Sequence, residues 1–307
     1  MEQLFFQVFN LIADKMSLVN HTEYNCGQWS KYSFKCLKYF LKVMKLLLIL
    51  ILLLILFRDT PTNEIGIVSM MKNPIDLDYW LSTHRKMGVS KFYIRLEDPD
   101  PVTEQYLRNQ PGVYLETGKS TGVNEYAEIQ VRQNNWVNKV IGIKDNITWL
   151  IHIDSDEILE GDLNEIKNLP GSVNTFWMQN AEAVYKDIPK KGECFTASKF
   201  INCAEGKCVS YGNGKGGGRK SKIVANGPHR MKSDTGTEVK LKLILRHYES
   251  CDFDAYKNKF KRLSVQNKEP TPFPYYNESM DAAKMGENKL KCVYKKYRTE
   301  SGRTSNC

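Results

Sequence analysis

Several common signatures are missing from this sequence. It contains no zinc-finger spacing, no RNA-binding aromatic motif and no basic zipper, so nucleic acid is not an expected partner. No C-x-x-C pair occurs among its eight cysteines, and Cys194, Cys203 and Cys208 match no zinc spacing. No internal repeat is found, which removes repeat architectures. Only one long apolar run is present, and the composition (26% charged, 41% hydrophobic) excludes extensive disorder.

What is present is a chain of 307 residues with formal charge +9. Residues 58–307 alone carry 38 basic against 32 acidic side chains, a mild excess that suits a phosphate-bearing substrate. The apolar run Leu46–Phe57 follows a lysine-rich flank of Lys31, Lys35, Lys38, Lys42 and Lys45. With Arg58 the only basic residue close behind, the positive-inside rule predicts a single-pass type II membrane protein. Its N-terminus would be cytosolic and its globular domain would face the secretory-pathway lumen. The expected division is a cytosolic segment at 1–42, a signal-anchor helix at 43–57, a short stem at 58–64, a globular domain at 65–270 and a polar, loosely held tail at 271–307. Six cysteines lie beyond the anchor and permit disulfides without revealing their pairing; sequons at Asn146 and Asn277 would face the lumen.

Strand and helix patterns alternate through the first half. Ile65–Met70, Lys91–Leu96, Val113–Leu115 and Trp149–Ile153 read as strands, the last buried on both faces. Helices are expected from Asp76 to Gly88, Val102 to Asn109 and Val123 to Val140. The pattern predicts an α/β fold with a mostly parallel, doubly wound sheet and flanking helices. Later, Asn174–Met178, Lys220–Val224 and Val239–Arg246 read as strands, and Phe253–Val265 as a helix.

Ligands in such sheets bind beyond the carboxyl ends of the strands. Two acidic clusters fall there: Glu97-Asp98, and Asp154-Ser155-Asp156-Glu157. The string D-x-D occurs four times, so position must discriminate. Asp76–Asp78 and Asp252–Asp254 precede helices and suit their positive ends; Asp98–Asp100 suits a turn. Only Asp154–Asp156 directly follows a buried strand. Carboxylates crowded there repel and want a hard cation, Mn²⁺ or Mg²⁺, which bridges to substrate phosphates. His247, at another predicted strand end, could add a nitrogen ligand. The glycine cluster Gly212–Gly218 fails the phosphate-loop pattern because Arg219 stands where the last glycine is required. It reads either as a plain flexible loop or as a lid over the substrate, with Arg219 or Lys220 meeting phosphate.

Three segments carry a resemblance: Ser69–Pro74 with Asp78–Leu81 and His84; Ile151–Ile158; and Lys220–Val224 with Arg246–Ser250. In order and spacing they resemble glycosyltransferases of the GT-A (Rossmann-like) fold, in the family 2-like and family 92-like group. The resemblance implies a nucleotide-diphosphate sugar donor, a glycan or glycoprotein acceptor, a divalent metal and inversion at the anomeric carbon. On it, Asp154, Asp156 and Glu157 form the catalytic cluster, Asp154, Asp156 and His247 the metal site, and Glu97 or Asp98 the nucleoside contact. The second strand departs from the family in ending Leu-Glu-Asp-Pro. No acceptor-activating base stands out among Glu182, Asp187, Glu205 and Asp234. Two other readings remain: a glycan- or nucleotide-sugar-binding module without turnover, and a metal-dependent phosphohydrolase.

Overall fold

A computed structural model describes residues 42, 44, 45 and 63–302, except 121–125, 191, 206–207, 267–269 and 272. The chain divides into two compact units, Met1–Thr60 and Pro61–Cys307. In the first, Lys42, Met44 and Lys45 are helical and exposed. The expected single-pass membrane placement does not hold: no helix among the described residues is long and apolar enough to cross a membrane. The run Leu46–Phe57 that prompted it lies outside those residues.

The second unit is a mixed α/β structure around a nine-stranded sheet ordered β3-β2-β1-β4-β8-β6-β11-β5, with β7 paired to β6. The strands are β1 (Glu64–Met71), β2 (Val89–Glu97), β3 (Val113–Gly118), β4 (Ile147–His152), β5 (Glu157–Glu160), β6 (Val173–Val184), β7 (Lys199–Asn202), β8 (Lys215–Arg219) and β11 (Thr237–His247). A separate hairpin joins β9 (Val224–Asn226) to β10 (Arg230–Lys232). From β3 to β4 every pairing is parallel. Beyond β4 the sheet is mixed, which corrects the expected mostly parallel arrangement: β8 runs antiparallel to both β4 and β6, while β11 lies parallel to β6.

The parallel half follows from alternation. Successive side chains of a strand point to opposite faces. Ile65 and Ile67 of β1, Phe92 and Ile94 of β2, and Trp149 and Ile151 of β4 enter one core with Leu77, Trp80 and Leu81 of α1 (Leu77–Met87). Val68, Tyr93 and Leu150 enter the opposite core with Trp136, Val137 and Val140 of α3 (Tyr126–Ile141), and Ile147 joins them because the register shifts at the start of β4. α2 (Pro101–Arg108) packs on β3 and begins at Asp100, whose side chain accepts from Thr103 N at 2.9 Å. Asp100 is therefore a helix cap rather than part of a free acidic turn. Asp252 likewise accepts from Asp254 N at 2.7 Å at the start of α5 (Phe253–Gln266).

β8 is the main departure. Gly216, Gly217 and Gly218 form a buried central strand, not a lid. A Cβ on Gly217 would stand 2.5 Å from the Leu150 carbonyl, and one on Gly218 would stand 2.4 Å from the Asn174 carbonyl. Real Cβ atoms do not approach that closely, so glycine lets β4, β8 and β6 close together. Lys220–Lys222, expected as strand, is a 3-10 turn.

Residues 271–307, expected as a loose polar tail, instead include α6 (Pro274–Met285) and α7 (Glu287–Arg298). With α5 they build a third core around Tyr256, Phe260, Tyr275, Leu290 and Tyr294. Disulfides join Cys194 to Cys251 and Cys203 to Cys208, and Cys292 is also disulfide-bonded. Asn277, one of the expected sequons, hydrogen-bonds its side chain to the backbone of Thr271.

Candidate functional site

A cavity of about 340 Å³ opens beyond the carboxyl ends of β1, β2, β4 and β11. Met71 and Lys72 reach it from β1, Glu97 from β2, Asp154 and Asp156 from the turn after β4, and His247 and Glu249 from the end of β11. α5 contributes Lys259 and Arg262 to the wall.

The turn after β4 is fastened from several sides. Glu157 N donates to the Asp154 carbonyl at 3.2 Å, and the Glu157 carboxylate accepts from Asp154 N at 2.6 Å. From α1, Trp80 Nε1 donates to the Glu157 carbonyl at 2.9 Å, and His84 Nε2 accepts from Leu159 N at 3.2 Å. Burial lowers the His84 pKa to about 4, consistent with a neutral ring whose Nε2 is an acceptor. Tyr248 N ties the far side to the Asp156 carbonyl at 2.8 Å. Asp156 is thus presented by a rigid backbone, its side chain 37% exposed.

Within the site the expected residues separate. Asp154 is engaged by two neighbours: Oδ1 accepts from Gln133 Nε2 at 2.9 Å and Oδ2 from Lys215 Nζ at 2.6 Å. Burial by itself would raise the Asp154 carboxyl, but Lys215 outweighs it and holds the pKa down at about 2. Burial opposes the charge on Lys215 too, yet Asp154 and Glu157 together keep its pKa raised. Glu157 is fully buried, and desolvation pushes its carboxyl well above the ordinary range despite Lys215 at 3.7 Å. Its other oxygen accepts from the Tyr211 hydroxyl. Glu157 is absent from the cavity wall, and its carboxylate fastens the turn through Asp154 N.

Asp156 and His247 do come together. Asp156 Oδ2 lies 3.8 Å from His247 Nε2, and both residues line the cavity. Glu97 also lines it, but Arg132 grips its carboxylate at 2.7 and 3.1 Å. Asp98 does not; it bonds Lys72 Nζ at 2.6 Å and Ser120. Hydrogen bonds from Lys72 and Ser120 hold its carboxyl below the ordinary range.

Arg219 and Lys220 also lie off the cavity wall. The Arg219 guanidinium donates to the carbonyls of Val173 and Leu169 at 2.9 and 3.2 Å and sits 4.2 Å over the Trp149 ring. Lys220 Nζ bonds Asp145 at 2.6 Å and the Ile143 carbonyl at 2.7 Å. Both cations are bonded to protein groups at the end of β8, away from the cavity.

Sequence reasoning missed Lys215, Gln133, Ser210 and Tyr211. The signal for Lys215 was a lysine inside the glycine run, where no hydrophobic pattern marks a strand. Among the acids considered as a base, Glu182 is buried and accepts from Val209 N and Ser210 N, both at 2.8 Å. Asp187, Glu205 and Asp234 do not line the cavity. One further group of possible metal ligands, Glu182 with Cys203 and Cys208, occurs among the described residues, but its two cysteines are disulfide-bonded and offer no thiolate.

No protein-family model matches the chain, and no curated protein matches it. Among solved structures it is similar to HddC from Yersinia pseudotuberculosis, at TM-score 0.33 and 10% identity over 63% of this chain and 96% of that one. It is also similar to 4-diphosphocytidyl-2C-methyl-D-erythritol synthase from Anaerococcus prevotii, at TM-score 0.28 and 9% identity over 52% and 72%. A third is the inositol-1-phosphate CTP transferase from T. maritima, at TM-score 0.31 and 6% identity over 60% and 89%. Likeness this slight brings neither a family nor an activity to the chain. None of these proteins supports the family 2-like or family 92-like placement in particular.

Proposed function

We propose that the chain is a glycosyltransferase that moves a sugar from a nucleotide-diphosphate sugar to a hydroxyl acceptor on a glycan or glycoprotein. Asp156 and His247 would hold a divalent Mn²⁺ or Mg²⁺. The observation that supports this most is their pairing: a carboxylate oxygen and a ring nitrogen 3.8 Å apart, on two strand ends facing one cavity. The donor set fits a hard cation that takes its remaining ligands from water and substrate phosphates. When bound, such an ion supplies positive charge to the departing diphosphate.

The other charges of the wall suit an anionic donor. Asp154 is neutralised by Lys215 and Glu97 by Arg132, so their role is to fix those cations and Gln133. Glu249 is held by Lys259 at 2.8 Å and by Arg298. Burial would raise its carboxyl, but these cations bring it down to about 2, which makes it a poor proton acceptor. Arg262, exposed on α5, forms no ion pair among the described residues and is available to a phosphate. Ile129, Phe273 and Tyr276 supply apolar surface for a base or sugar ring.

The test is a panel of nucleotide sugars with Mn²⁺ and a mixture of acceptors. Release of a nucleoside diphosphate from one donor, abolished by chelation, supports the reading. Pyrophosphate release from a nucleoside triphosphate and a sugar phosphate would replace it with nucleotidyl transfer. Hydrolysis of simple phosphate esters would replace it with the phosphohydrolase, and donor binding without turnover with the binding module.

A further inference from the structure

Behind His247 a line of polar atoms runs into the core. β6 and β11 lie in parallel register with Glu182 opposite His247, and both residues are nearly sealed, at 1% and 5% exposure. The Glu182 carboxylate accepts three hydrogen bonds, from Val209 N, Ser210 N and the Ser210 hydroxyl. On its other side, Ser210 Oγ lies 3.3 Å from His247 Nδ1.

The protons in this line can be counted. A serine hydroxyl owns one hydrogen, and an ionised carboxylate owns none. Once Ser210 donates to Glu182, it has only lone pairs to offer His247. The hydrogen in the second contact must then sit on Nδ1. In a neutral imidazole, an Nδ1–H leaves a bare lone pair on Nε2. Nε2 is the atom that faces Asp156 Oδ2 at 3.8 Å, beyond hydrogen-bond reach. Two acceptor atoms therefore face each other with no proton assigned between them.

We infer that Glu182, acting through Ser210, is a positioning residue that locks His247 in the Nδ1–H tautomer and so aims the Nε2 lone pair at a divalent cation. The inference deepens the proposed reading of Asp156 and His247 and rests on it for the cation. Ligating histidines are oriented by such bonds from their second nitrogen, and losing the outer partner weakens metal binding. The Cys203–Cys208 disulfide lies immediately before Val209 and Ser210 in the chain, so it restrains the segment that carries the relay.

The experiment is nitrogen NMR of the ¹⁵N-histidine-labelled full chain above about pH 7.5, where an ordinary imidazole is neutral. His247 is assigned by comparison with His247→Gln. The wild-type protein is expected to show a protonated Nδ1 and an unprotonated Nε2. An Nε2–H form, or a mixture of tautomers, would overturn the inference. Ser210→Ala is expected to mix the tautomers and to weaken Mn²⁺ binding by about 10–100-fold, with Ser210→Thr restoring both. Unchanged Mn²⁺ affinity in Ser210→Ala would also overturn it. If Ser210→Ala does not fold, the wild-type spectrum alone decides. The spectrum needs no donor and no turnover, so a protein inactive on every nucleotide sugar but locked as Nδ1–H refutes the transferase and leaves the positioning role standing.

Discussion

The two halves of the sheet are built by different rules. From β3 to β4, hydrophobic alternation defines each strand and an intervening helix covers it. From β8 to β5, neighbours come from distant parts of the chain, and the strand that joins this half to the first is Lys-Gly-Gly-Gly-Arg. The first half supplies a scaffold and one acidic turn. The second supplies Lys215, His247 and Ser210, which determine what that turn can do. A site at the seam of the two halves depends on both, but only the first is written in local pattern.

Removing Lys215 should break the comparison most severely. Its side chain is 1% exposed, and its ammonium is shared by Asp154 at 2.6 Å and Glu157 at 3.7 Å. Lys215→Met would leave the Asp154 carboxylate, 30% exposed, without its buried cation, and stability measured by urea unfolding should fall by about 3 kcal/mol. A loss under about 1 kcal/mol would mean that the seam does not depend on this contact.

Gly217→Ala is the next in size. Its Cβ would meet the Leu150 carbonyl and the Phe176 ring, both at 2.5 Å, in the strand that joins the halves. Overpacking of this kind costs about 1–3 kcal/mol. Gly171→Ala, where a Cβ would meet nothing within 4 Å, should stay within about 0.5 kcal/mol of wild type. Equal unfolding midpoints for the two variants would refute the close-packing account of the glycine run.

Asp145 offers a smaller, pH-dependent test on the scaffold side. Burial pushes its carboxyl up, but Lys220, Tyr93 and Lys91 outweigh burial and bring it to about 2. The pKa is depressed by folding, so this stabilisation is fully present above the unfolded value of about 3.9. It is lost as pH falls through about 2. Asp145→Asn should cost about 1–2 kcal/mol at neutral pH, and the gap to wild type should close between about pH 4 and 2. A gap independent of pH would show that charge is not what Asp145 and Lys220 contribute.

These differences explain what was legible in the sequence. The first-half strands and helices followed their patterns because helices cover both faces and the connections are short. α1 could be read from Leu77, Trp80, Leu81 and His84 at helical spacing. β8 could not, because its glycines are selected by the approach of Leu150, Phe176 and Asn174, which no local pattern reports. α7 reads as polar because Lys289, Lys291, Lys295 and Lys296 mask the stripe of Leu290, Val293 and Tyr294 that enters the third core. In the site, Asp156 and His247 were legible as strand-end residues. The partner of Asp154 was not: crowded carboxylates want a cation, but the sequence does not say that a lysine 61 positions later provides it.

The most direct measurement is titration calorimetry of donor binding, with and without Mn²⁺, on Asp156→Asn and Asp254→Asn. The substitution keeps size and an oxygen at each position, so thermal stability should change by no more than about 1 kcal/mol in either. Asp254 is exposed and pairs with Lys257 at 2.9 Å, outside the cavity wall, so its variant should bind and transfer as wild type does. Asp156→Asn should lose the Mn²⁺-dependent part of donor binding and nearly all transfer. Mn²⁺-dependent binding of equal strength in the two variants would contradict the role given to Asp156, and with it the transferase reading.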